Sequence, residues 1–178
     1  MTVRERSLEA REILRYFITF ACYGAHLHGD DSGSVDRHHN RYGTLFLENH
    51  SERVAAELER MHQTPWLLDP CDRAAVLVAI REVCFHRNWT LLAAHVRTTH
   101  VHAVVEAEVQ PELIMNSFKS YASRCLNHLG LGDPQRKRWA RHGSTRWLWK
   151  DENVRQAIQY VVEQQGEPMA VFIAEDWC

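Results

Sequence analysis

The sequence predicts an α+β fold: an antiparallel sheet with helices on one face and a further helix near the C-terminal end. Three observations predict it. Residues 13–24 (ILRYFITFACYG) are dense in β-branched and aromatic side chains. WTLLAAHVR and THVHAVVEAEV, from Trp89 onward, are continuous or alternating apolar runs separated only by a short polar break near Arg97–Thr99. Between and after these runs lie segments with apolar residues at helical spacing and breakers at their ends. With 178 residues, 45% hydrophobic and 25% charged, the chain has the composition of an ordinary globular domain, expected to span 1–178.

Taken in order, residues 13–24 form the first strand. The segment AHLHGDDSGSVDRHHNRYG (25–43) has no periodicity and reads as a long His-rich loop, followed by a short helix near 50–60 and a loop at Pro65. Asp72 is placed to cap the next helix, whose Ala75, Val76, Ala79, Ile80, Val83 and Cys84 share one face. The two apolar runs after Trp89 make a hairpin. Pro111 opens a helix through about Leu129, with Leu113, Phe118, Tyr121, Ala122 and Cys125 along it, stopped by Gly130, Gly132 and Pro134. A strand is expected near TRWLW. Asp151 or Asn153 then caps the last helix, NVRQAIQYVVEQQ, which Gly166 and Pro168 end. Strand, helix, strand, strand, helix, strand is the ferredoxin-like order, and the last helix is an addition to it.

Composition narrows the function. No stretch approaches the ~20 apolar residues of a membrane span, and the charged N-terminus MTVRERSLEAREILRYF has no apolar signal core, so a cytoplasmic protein without membrane contact is expected. Five cysteines without a CxxC pair suggest buried thiols rather than a disulfide framework or a zinc ribbon. The net charge of −2 conceals a basic block. From 113 to 150, Lys119, Arg124, Arg136, Lys137, Arg138, Arg141, Arg146 and Lys150 stand against Asp133 alone, a local +7 that leaves −9 elsewhere. Such a block fits a polyanion or a solvated helix face. Trp139, Trp147 and Trp149, interleaved with these arginines, suit base stacking or the packing of a sheet edge.

The sharpest motif is His100-Val101-His102. Residues i and i+2 of a strand face the same way, about 7 Å apart by strand rise, so both imidazoles can meet one divalent ion or simply share a sheet face. His26-Leu27-His28 is a weaker copy running into the loop, and His95 in the neighbouring strand suits either a support behind the ligand pair or a hydrogen-bonded structural histidine. On the last helix Tyr160 and Gln164 stand one turn apart, offering a phenol nucleophile and a hard amide oxygen suited to Mg²⁺ or Mn²⁺, or a core tyrosine beside a solvated glutamine. Tyr121, whose i+4 neighbour is Cys125, is the poorer nucleophile.

Together THVHAVVEA, IQYVVEQQ, the intervening RWARHGSTRWLWKDENV and the opening ITFACYG resemble the single-tyrosine HUH transposases, in particular the REP-associated tyrosine transposases, over roughly residues 13–165. The resemblance implies a DNA strand-transfer enzyme in which His100, His102 and Gln164 bind the metal and Tyr160 is the nucleophile. It implies single-stranded or hairpin DNA as substrate, a 5′-phosphotyrosine with a free 3′-hydroxyl, and either a monomer or a homodimer in which Tyr160 serves the partner's metal site. Lys119, Arg124, Arg136, Lys137, Arg138, Arg141 and Arg146 are the expected DNA-binding cations. A phenol, with pKa about 10, needs such metal assistance near neutral pH. Two other functions fit the sequence: a metal-dependent nuclease or phosphodiesterase acting through His100, His102 and water, and a non-catalytic DNA-binding module on the sheet that needs neither histidine nor metal. The His-rich loop and the net acidity do not match the family pattern.

Overall fold

The computed structural model describes residues 14–25 and 61–177. The His-rich loop with His26 and His28, and the helix expected near 50–60, lie outside the described residues. The elements are β1 (Leu14–Cys22), α1 (Pro70–Arg87), β2 (Thr90–Val96), β3 (His100–Ala107), α2 (Pro111–His128), β4 (Trp139–Trp147), α3 (Asp151–Glu163) and β5 (Ala170–Ile173). The strands pair antiparallel in the order β4-β1-β3-β2-β5. The first four are the expected ferredoxin-like arrangement, and β5 extends it along β2. Sequence reading missed β5, because four apolar residues after Pro168 are too short a run to declare a strand without a partner.

Strand alternation divides the molecule into two layers. Tyr16, Ile18, Phe20 and Cys22 of β1 and Val101, Ala103, Val105 and Ala107 of β3 point to one side, where α1 and α2 close the larger core with Val76, Ile80, Phe118 and Leu126. The alternate residues point to the other side. There Val104 joins Leu92, Ala93 and Leu148 under Val154, Ala157, Ile158 and Val161 of α3. The irregularity between Leu91 and Ala93 puts Leu92 and Ala93 on the α3 side together, while Leu91 stays in the larger core. The C-terminal helix therefore lies across the face opposite α1 and α2.

Several boundaries differ from the sequence expectations. Asp69, not Asp72, caps α1: its side chain accepts from Asp72 N at 2.8 Å, while the Asp72 carboxylate accepts from Asp69 N at 3.2 Å. This reciprocal pair is a capping box with Pro70 at N1. Helix α2 buries Ile114, Met115, Phe118, Ala122 and Leu126, whereas Leu113 is exposed, so the apolar stripe is turned by about one position. Helix α3 starts at Asp151 after Lys150, and Asp151 and Glu152 occupy its first turn, where negative charge complements the helix dipole. Strand β4 begins at Trp139 rather than near TRWLW. Gly143 permits this: a Cβ there would lie 2.5 Å from both Thr19 O and Met115 Sδ.

Candidate active site

The register of three strands assembles the site. Thr19 of β1 and His95 of β2 both pair directly with His102 in the central β3. The even positions of β3 face the α3 side of the sheet, so His100 and His102 project to that side with ring centroids 4.7 Å apart, and of the two only His102 lines the cleft beside Tyr160. Thr19 Oγ1 lies 2.8 Å from His102 Nδ1, and Thr99 Oγ1 lies 3.0 Å from His100 Nδ1. Phe17 stacks on the His102 ring at 5.6 Å.

Tyr160 comes down on this surface from α3. Its ring is 5.7 Å from that of His102 and 5.8 Å from Phe17, edge-on to both, and the residue is 40% exposed. The helix places it there because Val154, Ala157, Ile158 and Val161 form the buried stripe, which leaves Gln156, Gln159 and Tyr160 at the margin. Tyr160, His102, Gln164, Phe17, Thr19, Ser144, Arg146, Gln156 and Gln159 all line one cleft of about 780 Å³. Gln164 is the residue that ends α3. The following Gln165 hydrogen-bonds to the His102 side chain and donates Nε2–H to the Tyr160 carbonyl at 3.2 Å.

Electrostatics keep His102 neutral. Burial pushes its pKa down to about 3, helped by His100, His95 and Arg97 and opposed by the hydrogen bond to Gln165. A neutral imidazole is the form that ligates metals. Among the described residues no three His, Cys, Asp or Glu side chains surround a common point. A cation here would therefore rely on the two imidazoles with an amide or hydroxyl oxygen. In that mixed set the oxygen donor suits a hard divalent ion and the two imidazoles suit a borderline one.

The seven basic residues singled out from the sequence are scattered. Arg146 lines the cleft, its guanidinium 5.6 Å from the Phe17 ring. Lys119 is buried and donates to the carbonyls of Ala140 and His142 at 2.9 and 3.1 Å, tying α2 to β4. Arg138 is 4% exposed and bonds the carbonyls of Leu131 and Asp133. Arg136 donates to Thr64 and Pro65 over the Trp66 ring, and Lys137 lies over Tyr23. Arg124 sits over Tyr121 on the α1–α2 side, away from the cleft. Arg141 is exposed on β4. Trp139 is buried, whereas Trp149 is 71% exposed and stacks on Trp147 at 4.9 Å and 10°.

Sequence reasoning missed Thr19, Phe17, Ser144, Gln156, Gln159 and Gln165. The only available signal for Thr19 and Phe17 was their shared parity in β1, opposite to Ile18 and Phe20. Gln156 and Tyr160 have the i, i+4 spacing that joins them on one helical face.

Two solved structures are similar to this chain. One is a REP-associated tyrosine transposase bound to a REP hairpin, with 12% identity, a TM-score of 0.46, and coverage of 92% of this chain and 72% of that one. The other is a proposed transposase from Deinococcus radiodurans R1, with 16% identity, a TM-score of 0.43, and coverage of 93% and 98%. Among curated proteins none matches. The family model "Transposase IS200 like" matches residues 62–164, a span that runs from before α1 through the His100-Val101-His102 strand to Tyr160 and Gln164. On that match, over more than half of its length, the chain belongs to the IS200-like transposase family.

Proposed function

We propose that this transposase cleaves and rejoins single-stranded or hairpin DNA through Tyr160. The observation that carries the reading is the Tyr160 ring 5.7 Å from His102, over a cleft both residues share with Gln164. The phenol oxygen attacks the phosphorus, and the bond from phosphorus to the 3′ oxygen breaks. The phenolic proton passes to solvent, and the departing oxygen takes up a proton to become a free 3′-hydroxyl. The phosphorus stays on Tyr160 as a 5′-phosphotyrosine, which a 3′-hydroxyl can attack in the reverse sense to rejoin strands.

His100, His102 and Gln164 would hold a divalent ion, Mg²⁺ or Mn²⁺, whose charge neutralises the phosphate and stabilises the departing oxygen. Thr19 orients the His102 ring through Nδ1, as outer hydrogen bonds commonly do for ligating histidines. Arg146 at the cleft wall supplies a cation for the backbone, and the exposed Trp149 supplies a stacking surface for an unpaired base. Tyr160 and His102 of the same chain face one cleft, which favours assembly of the site within one subunit, whether or not the protein dimerises.

The test is covalent trapping on a panel of labelled single-stranded and hairpin DNAs with Mn²⁺, resolved on denaturing gels. A metal-dependent adduct that is lost in Tyr160→Phe is expected. Cleavage that persists in Tyr160→Phe without an adduct would instead make the protein a water-using nuclease. Binding that survives EDTA and His102→Ala, with no cleavage on any substrate, would make it a binding module.

A further inference from the structure

His95 is the one fully buried histidine among the described residues, 0% exposed in the strand TLLAAHV, whose other buried residues are all apolar. Both of its ring nitrogens are engaged, each by backbone. Nδ1 lies 2.9 Å from the Val161 carbonyl, which can only accept, so Nδ1 carries the proton. The Met169 N–H donates to Nε2 at 3.2 Å, so Nε2 carries the lone pair. Two backbone partners therefore fix the ring and its tautomer.

The partners are specific in what they join. Val161 follows Tyr160 directly and lies in the last turn of α3, where carbonyls run out of intrahelical donors. His95 caps one of those carbonyls from the sheet below. Met169 is the residue before β5, so the same ring also holds the far end of the connection that leaves the helix. Arg97, two residues along the chain, donates Nη1–H to Glu167 O at 2.7 Å within that connection. On the sheet side, His95 pairs directly with His102. An aliphatic side chain would fill this position without a desolvated polar group to satisfy, so the contribution of the imidazole lies in its two directed bonds.

We propose that His95 is the positioning residue for the nucleophile: it sets the height and rotation of the Tyr160 turn relative to His102. The proposal rests on Tyr160 acting as the nucleophile. A displacement of about 1 Å at reacting atoms can cost about 100-fold in rate, so a helix end referenced to the strand beside His102 has direct catalytic consequence.

The test compares full-length wild type with His95→Leu, which loses both bonds, and His95→Asn, whose amide can still donate to Val161 O from the Nδ1 position. Two readouts are taken: hydrogen–deuterium exchange by peptide, and the rate of adduct formation against DNA concentration. For His95→Leu, faster exchange confined to residues 157–170 is expected. Its maximal adduct rate should fall about 100-fold with half-saturating DNA unchanged, and His95→Asn should recover much of both. Unchanged exchange at 157–170, or exchange raised evenly throughout with Asn no better than Leu, would reduce His95 to a packing residue and overturn the proposal. Selective exchange with an unchanged adduct rate would overturn it as well. Absence of an adduct in wild type would instead refute the phosphotyrosine reading, and exchange alone would then decide whether His95 docks the helix.

Discussion

The two faces of the sheet are built on different rules. Toward α1 and α2, the strands present Tyr16, Ile18, Phe20, Val101, Ala103 and Val105, and the helices answer with aliphatic residues and Phe118. Toward α3, the same strands present Phe17, Thr19, His95, His100 and His102, and the helix covers only part of them, leaving the cleft around Tyr160. One residue of register separates the two sets in β1 and β3. The first face holds the fold by area and shape, whereas the second holds a few polar groups in place by hydrogen bonds to named partners. A substitution should therefore read out as lost stability on one face and lost chemistry on the other.

The largest effect is expected on the closed face. Phe118 is fully buried and packs edge-on near Trp89 at 6.3 Å. Phe118→Ala should destabilise the protein by about 3–5 kcal/mol through lost burial and the cavity left behind, read as a fall in the urea midpoint. Whatever fraction stays folded should keep its adduct rate. An intrinsic rate that falls with stability would break the comparison, because the closed face would then be shaping the site.

On the open face the reverse is expected. Thr19→Val keeps the β-branched shape of an edge of the cleft but removes the hydroxyl 2.8 Å from His102 Nδ1. On the metal role proposed for His102, affinity measured by titration with Mn²⁺ should weaken about 10–100-fold, as commonly follows when the support of a ligating histidine is lost. The urea midpoint should move little, because Thr19 is only partly buried. A large stability loss with intact metal binding would assign Thr19 to the core instead.

The same contrast explains what was legible in the sequence. The α1 stripe from Ala75 to Cys84 was visible because burial on one helical face requires apolar residues at that spacing, and all six are buried. His100-Val101-His102 and Tyr160 with Gln164 stood out because their chemistry is rare on a sheet face or a helix margin, and the fold brings His102, Tyr160 and Gln164 to one cleft. Thr19 was invisible, since its role depends on pairing across 83 residues with His102. The burial of Lys119 and Arg138 within the basic block was illegible for a related reason. Position along the chain does not say which cations turn inward, and Lys119 reaches the carbonyls of Ala140 and His142 where β4 passes close to α2 beside Gly143. The box at Asp69 and Asp72 was misassigned by its second member, a carboxylate that does bond backbone at the helix start but from inside it.

The smallest expected effect concerns pH, and it separates the faces without changing a single apolar residue. His102 titrates at about 3 in the folded chain, chiefly because it is buried, with His100, His95 and Arg97 adding repulsion and Gln165 opposing it. Its unfolded value is the ordinary 6.5, so between these limits the unfolded chain binds the extra proton. Stability from this group is complete above about 6.5 and is lost as pH falls toward 3, at up to about 1.4 kcal/mol per pH unit. His95, whose pKa is also lowered by burial, acts in the same direction. With EDTA present to remove competing metal, the urea midpoint should therefore fall between pH 7.5 and 5.5 by an amount equivalent to about 1 kcal/mol for His102. In His102→Gln that slope should shrink to the part His95 supplies. Among the described residues the closed face contributes no histidine to its core, so Phe118→Ala should lower the whole curve while leaving its slope as in wild type. An undiminished slope in His102→Gln would mean that His102 is protonated before the chain unfolds, and that burial does not hold it neutral.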